Sequence, residues 1–263
     1  MNRVVVKIGG HALDSLDANS EVLRDLASDV LALIASSTSV VLVHGGGPQI
    51  AELLASVGAQ SRFHEGLRIT DVATMGYVAM ALGHVNVQIT AALNVSGLAS
   101  VGISGADAKL LCSRSLGDPW LRAGDTPSVH AEVITSLWSS GFTPVVSSIA
   151  VDDNGELLNC NADTVAGALA GALQADVLVL LSDIDQVRRD ADDPSTSLAS
   201  ATAHEVDLLI ATGAAREGMR PKMAAALDAL GAGAARVIMA NGTRRHALRG
   251  ALDSSIPTTE VVA

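Results

Sequence analysis

Val-Val-Val-Lys-Ile-Gly-Gly, residues 4–10, sets one lysine at the end of a β-branched run and directly before two glycines. Three consecutive valines predict a strand covered on both faces, as in a parallel sheet, where alternation gives way to continuous hydrophobicity. An ammonium there needs a reason, because burial without a partner is costly. Lys7 therefore reads as pointing from the strand's carboxyl end into a cleft where an anion meets it. Gly9 and Gly10 let such a ligand approach the backbone N–H groups. The plainer alternative is a solvated lysine on an edge strand.

Downstream, Val22, Leu23, Leu26, Val30, Leu31 and Leu33 form the apolar stripe of a helix that Asn19 or Ser20 can cap. A second buried strand at residues 40–43 runs into His44-Gly45-Gly46-Gly47-Pro48 and a helix over 49–56. Strand, glycine turn and helix N-terminus together make an anion site from free N–H groups and the helix dipole. The run matches neither the dinucleotide fingerprint nor Walker A, and as a plain tight turn it has more glycines than it needs. Residues 62–64 and 67–69 predict a hairpin around Glu65-Gly66, on which Arg68 either clamps a carboxylate with two parallel hydrogen bonds or stands solvated. Residues 71–98 predict one long helix, at a subunit interface or across the core.

Strands follow at 100–103, 110–113 and 144–149, with a helix at 130–138. Alternating strands and helices predict an α/β fold with an open, mostly parallel sheet between helical layers. Asp152-Asp153-Asn154-Gly155 reads as a hairpin turn leading into Asn159-Cys160-Asn161-Ala162-Asp163 and an Ala/Gly/Leu helix. Two amides and a carboxylate at that passage lie at a sheet's carboxyl end, where open α/β folds bind ligands, although Asp163 can equally be a helix cap. A very apolar strand at 177–181 ends in Ser182-Asp183-Ile184-Asp185. Lys222, behind Pro221, lies near a helix N-terminus, where the dipole disfavours a cation unless an anion is bound. A strand at 237–240, a short helix and a strand near 258–262 close the chain. Architecture places a boundary between residues 1–175 and 176–263.

A formal charge of −11 excludes nonspecific binding to nucleic acid or anionic lipid, so any anion site must be locally basic. The most apolar run, residues 165–181, is interrupted by Gln174 and Asp176, so no uncharged segment of bilayer-spanning length is expected, and the first residues lack a signal peptide's pattern. The expected location is the cytoplasm. Cys112 and Cys160 are too few for a disulfide framework or zinc site, and no protein-held metal is expected. Among 17 basic residues only Lys7, Lys109 and Lys222 are lysines, which suits positions needing a compact point charge.

Val-Lys-Ile-Gly-Gly, Val-His-Gly-Gly-Gly, Gly-Leu-Arg-Ile-Thr, Asn-Cys-Asn-Ala-Asp, Leu-Ser-Asp and Gly-Met-Arg-Pro-Lys, in this order and spacing, resemble the amino acid kinase family over nearly the whole chain. The likeness is greatest to the branch acting on N-acetylglutamate. It implies a three-layer α/β/α fold and transfer of the γ-phosphoryl group of ATP, with Mg²⁺, to the side-chain carboxylate of N-acetylglutamate, a step of arginine biosynthesis. By that resemblance Lys7 and Lys222 stabilise the transferring group, Asp163 holds both lysines, and N–H groups of Gly10 and Gly45 bind phosphoryl oxygens. Gly45, Gly46, Arg68, Asn159 and Asn161 would hold the acceptor. Asp183, Ile184, Asp185, Gln186, Val187 and Arg188, with Ala214, Ala215, Arg216 and Lys222, would line the nucleotide. Gln186 stands where the family usually has glycine, and Cys160 where an aliphatic residue is common. The chain begins at its first strand, without the helix that builds hexamers in arginine-inhibited members, so a homodimer is expected. The rival readings are a sister kinase acting on carrier-bound aminoadipate or glutamate, a natural-product paralogue with another acceptor, and a noncatalytic sensor.

Overall fold

The computed structural model describes residues 2–9, 20–190, 192–213 and 219–263. Among these, eight strands share one sheet: β1 (Arg3–Ile8), β2 (Ser39–His44), β3 (Ser100–Ser104), β4 (Thr143–Ser147), β5 (Val177–Ser182), β6 (Ser200–Thr202), β7 (Val237–Asn241) and β8 (Thr258–Val262). Helices α1 (Glu21–Ala35), α2 (Gly47–Ser56), α3 (Val72–Val95), α4 (Glu132–Ser139), α5 (Ala162–Ala172), α6 (Ala203–Ala211), α7 (Arg220–Gly231) and α8 (Ala247–Leu252) connect and cover them. The spatial order is β6-β8-β7-β5-β1-β2-β4-β3, and only the β7–β8 pair is antiparallel. β1 is central: Lys7 stands in register with Leu180 on one side and Val43 on the other.

The period of two divides the core. Val5, Val41, Val43, Leu178 and Leu180 face a layer made from α4, α5, α6 and α7. Val4, Val6, Val40 and Leu42 face α1, α3 and α8. The expected three layers are therefore present, and Lys7, two residues after Val5, projects toward the α5–α7 side.

Several expectations need revision. The strand predicted over 144–149 divides at Ser148: β4 ends in the main sheet, whereas Ile149–Val151 joins a second sheet of short strands with Leu157–Asn159. The turn between those two is as expected, with Asp152 Oδ1 accepting from the N–H groups of Asn154 and Glu156 at 2.9 and 2.8 Å. Ser20 caps α1, but its buried side includes Asp25 and Asp29, while Leu31 of the predicted stripe is exposed. These carboxylates serve α8, which has no side-chain cap of its own: Asp25 accepts from His246 N, Asp29 from Arg249 N. An uncharged stretch of bilayer-spanning length does exist, in α3. Its Val78, Leu82, Val85, Ile89 and Leu93 lie in the core, which makes it a core helix, and its exposed side carries Val72, Met80, Val87 and Val95.

Candidate active site

The carboxyl ends of β1 and β2 meet the N-termini of α2 and α5 around an open cleft of about 240 Å³. Lys7, Gly9, Gly45, Gly46, Gly47, Arg68, Asn159, Asn161 and Asp163 all line it. Sequence positions spread over more than 150 residues thus converge because parallel strands deliver their carboxyl ends to one edge.

At the inner end two ammonium groups share one carboxylate. Lys7 Nζ is 2.9 Å from Asp163 Oδ1, and Lys222 Nζ donates to Asp163 Oδ2 at 3.0 Å. Lys7 and Asp163 are only 6% and 5% exposed, so the charges interact with little solvent screening. Burial pulls the Lys7 ammonium below its ordinary value; Asp163 opposes this and Lys222 adds to it. Burial works to raise Asp163, but the two ammonium groups outweigh it and hold the carboxyl below its ordinary range. Two lysines against one carboxylate give the group a formal surplus of one positive charge. Together with two helix N-termini, that surplus suits an incoming anion.

Local structure accounts for each placement. Asp163 lies in the first turn of α5, whose cap is Asn161, accepting from Asp163 N at 2.8 Å; the capping role considered for Asp163 belongs to Asn161. Lys222 occupies the first turn of α7, and Asp163 offsets the unfavourable dipole there. Gly9 is needed because a Cβ would lie 2.0 Å from Lys7 Nζ. Gly45 passes Ala162 closely, where a Cβ would lie 3.3 Å from that of Ala162.

At the outer end Arg68 is buried on its hairpin, Phe63–His64 with Leu67–Arg68. Its Nη1 donates to Ser61 Oγ and its Nη2 to Gly47 O at 3.1 Å, while Phe63 stacks 4.7 Å from the guanidinium carbon. Asn159 Nδ2 donates to Thr70 Oγ1, which donates to Arg68 O, so the amide and the arginine belong to one network. Cys160 between the asparagines is buried, and burial pushes its thiol up to about 12, leaving it inert.

The segment assigned to the nucleotide lies elsewhere, beyond the end of β5, and none of residues 183–188 lines this cleft. Asp183 is exposed. Asp185 accepts from Arg244 Nε at 2.8 Å and Asn241 Nδ2 at 3.1 Å, which hold it below the ordinary carboxylate range. The Gln186 side chain donates to Thr258 O and the Val187 backbone N–H to Thr259 Oγ1, both on β8, while the Val187 side chain packs in the core. Arg188 bridges to Ser197, and Ile184 is half-buried. Gly10, Ala214, Ala215 and Arg216 lie outside the described residues.

Sequence reading overlooked Phe63 and Ser61 around Arg68, Arg244 beside Asp185, and the buried pair His44–Asn86. Only His44 carried a signal, as a titratable residue ending an apolar strand.

The model of the amino acid kinase family matches residues 2–241. Acetylglutamate kinase of Symbiobacterium thermophilum is 40% identical over 255 residues, covering 93% of this chain and 86% of that protein. Its counterpart from Synechococcus sp. CC9311 is 41% identical over 249 residues, covering 94% and 86%. N-acetylglutamate synthase from Neisseria gonorrhoeae, solved with coenzyme A and N-acetyl-glutamate, superposes with a TM-score of 0.83 at 25% identity, over 100% of this chain and 59% of that one. Sharing the fold, the motif order and this extent of sequence, the chain belongs to the amino acid kinase family.

Proposed function

We propose that this chain transfers the γ-phosphoryl group of ATP to the side-chain carboxylate of N-acetyl-L-glutamate, forming the acyl phosphate used in arginine biosynthesis. The observation that carries the reading is the buried Lys7–Asp163–Lys222 group at one end of a cleft whose other end presents Arg68 and Asn159. The chemical difficulty is the meeting of two anions: at an effective dielectric of about 20, unit charges 4 Å apart repel by roughly 4 kcal/mol. Arg68 holds the acceptor's α-carboxylate, which directs its side-chain carboxylate toward Lys7. That carboxylate oxygen attacks the γ-phosphorus, the bond to the β-phosphate oxygen breaks, and ADP leaves. Lys7 and Lys222 offset charge on the transferring oxygens, held in place by Asp163, and N–H groups of the glycine turns donate to the same oxygens.

Mg²⁺ would enter with the nucleotide and neutralise phosphate charge. Among the described residues no cluster of three His, Cys, Asp or Glu side chains is suited to it, and Asp163 is engaged by two lysines. Its ligands would be phosphate oxygens and water. We assign acceptor binding to residues 1–175 and nucleotide binding to 176–263, where residues 183–188 and the N-terminus of α7 lie. The exposed apolar side of α3 supports a homodimer through that helix.

The test is trapping of acyl phosphate with hydroxylamine, using purified protein, Mg-ATP and N-acetylglutamate, N-acetylaspartate, glutamate or aminoadipate in turn. Hydroxamate with N-acetylglutamate alone is expected. Product with another acceptor, or with none, would refute the substrate assignment.

A further inference from the structure

His44 is fully buried at the end of β2, on the α3 side of the sheet, beneath the glycine turn. Its two ring nitrogens have different partners. Nδ1 lies 2.8 Å from Gly45 O, and Nε2 lies 2.9 Å from Asn86 Nδ2. Asn86 Nδ2 also donates to Val145 O at 2.9 Å, and a carbonyl can only accept, so this end of the amide is its NH₂ group. Nε2 must therefore accept, which leaves the proton on Nδ1, donating to Gly45 O. Burial lowers the imidazole to about 4, and it stays neutral wherever the protein is folded near neutrality. Gly102 makes room for this arrangement: a Cβ there would lie 2.0 Å from Asn86 Oδ1.

The consequence follows from peptide geometry. In a planar trans peptide the C=O and the next N–H point in opposite directions. With Gly45 C=O turned down toward His44 on the α3 side, Gly46 N–H is turned the other way, away from α3. Gly46 lines the cleft, and its N–H has no acceptor among the described residues. We propose that His44 is a positioning residue: Asn86 selects its Nδ1–H tautomer, and that hydrogen holds the Gly45–Gly46 peptide so that Gly46 N–H donates to an oxygen of the transferring phosphoryl group. The catalytic consequence rests on phosphoryl transfer taking place in this cleft.

Two substitutions separate positioning from packing. His44→Leu fills the site and suits its apolar neighbours but removes the donor. His44→Asn leaves space and a buried amide, yet its NH₂ group can take the place of Nδ1–H. Loss of one aligned oxyanion donor lowers turnover by about 10²-fold or more, so His44→Leu should lose kcat on that scale with both KM values within about threefold. His44→Asn should be the less stable of the two and the faster, within about tenfold of the unsubstituted protein. A purely structural role ranks them the other way, so unchanged kcat in His44→Leu, or equal loss in both, would overturn the proposal. The tautomer is read without turnover or variants of doubtful folding, by two-bond hydrogen–nitrogen correlation on protein labelled with nitrogen-15 at histidine. A buried neutral ring protonated at Nδ1 is expected, and Nε2 protonation would overturn the proposal. No hydroxamate from the unsubstituted protein would refute the substrate assignment alone, since the tautomer measurement decides the geometry independently.

Discussion

Asp163→Asn removes the negative charge between two lysines while preserving side-chain shape. Each ammonium lies about 3 Å from the carboxylate, and at an effective dielectric of about 20 each attraction amounts to roughly 5 kcal/mol. Relief of desolvation at the lost carboxylate and water reaching the half-open Lys222 side return part of this. Removal of one partner from a buried ion pair typically costs about 3–5 kcal/mol, and we expect a loss of that size at pH 7. Lys7 sets a ceiling on it, because burial already favours its neutral form and loss of Asp163 removes the opposing influence. With the folded-state value below the ordinary 10.5, the unfolded chain binds one more proton than the folded chain in the interval between them. Stability of the variant should then rise with pH by about 1.4 kcal/mol per unit within that interval, and its deficit against the unsubstituted protein should be largest near pH 6 and narrower near pH 9. Urea unfolding followed by circular dichroism at pH 6, 7.5 and 9 measures both effects. A deficit below about 1 kcal/mol, or one independent of pH, would refute the three-charge account.

Gly9→Ala should lower kcat by at least about tenfold and also lower stability, by up to about 3–5 kcal/mol, since a Cβ 2.0 Å from Lys7 Nζ would drive the ammonium off Asp163; unchanged turnover would remove Lys7 from the mechanism. Arg68→Lys cannot reproduce the fork that reaches Ser61 and Gly47 while stacking on Phe63, and should raise the acceptor KM by about 10–100-fold with the ATP KM nearly unchanged. A rise in the ATP KM alone would move Arg68 to the nucleotide. Ala108→Gly relieves a left-handed backbone, φ 51°, followed by a second at Lys109, φ 52°, and should stabilise the fold by about 1 kcal/mol, raising Tm by about 2–4 °C. A lower Tm in a scanning experiment would show that this turn is not strained.

The layers and the core of the site were readable because their determinants are local. A continuous valine run marks β1, a glycine turn before Pro48 marks α2, and Lys7, Gly45 and Asp163 all fall at strand or helix ends, where side chains reach a sheet's carboxyl edge. What escaped depends on distant partners. Asp25 and Asp29 look like the polar face of a helix, and only residues 246–249 explain their burial. Ser148 separates two sheets because the segment after it pairs with Leu157–Asn159, which no pattern within residues 144–149 announces. β6 and α6 were missed, although Thr202 and Glu205 form a capping box whose spacing was there to be read. Asn86 resembles any polar residue in a long helix until Val145 and His44 are brought beside it.

The central place of β1 bears on the order in which the molecule can be assembled. Its neighbour β2 leaves the ribosome soon after it, but β5, on its other side, follows only once residue 182 has been made. Until then Val4, Val5 and Val6 border an unpaired hydrophobic edge, the kind that recruits other strands. A fragment ending at residue 175 would keep that edge permanently and should therefore be recovered as aggregate unless residues 176–263 are supplied during its synthesis. The strand that carries Lys7 thus also ties residues made early to a segment made more than 130 residues later.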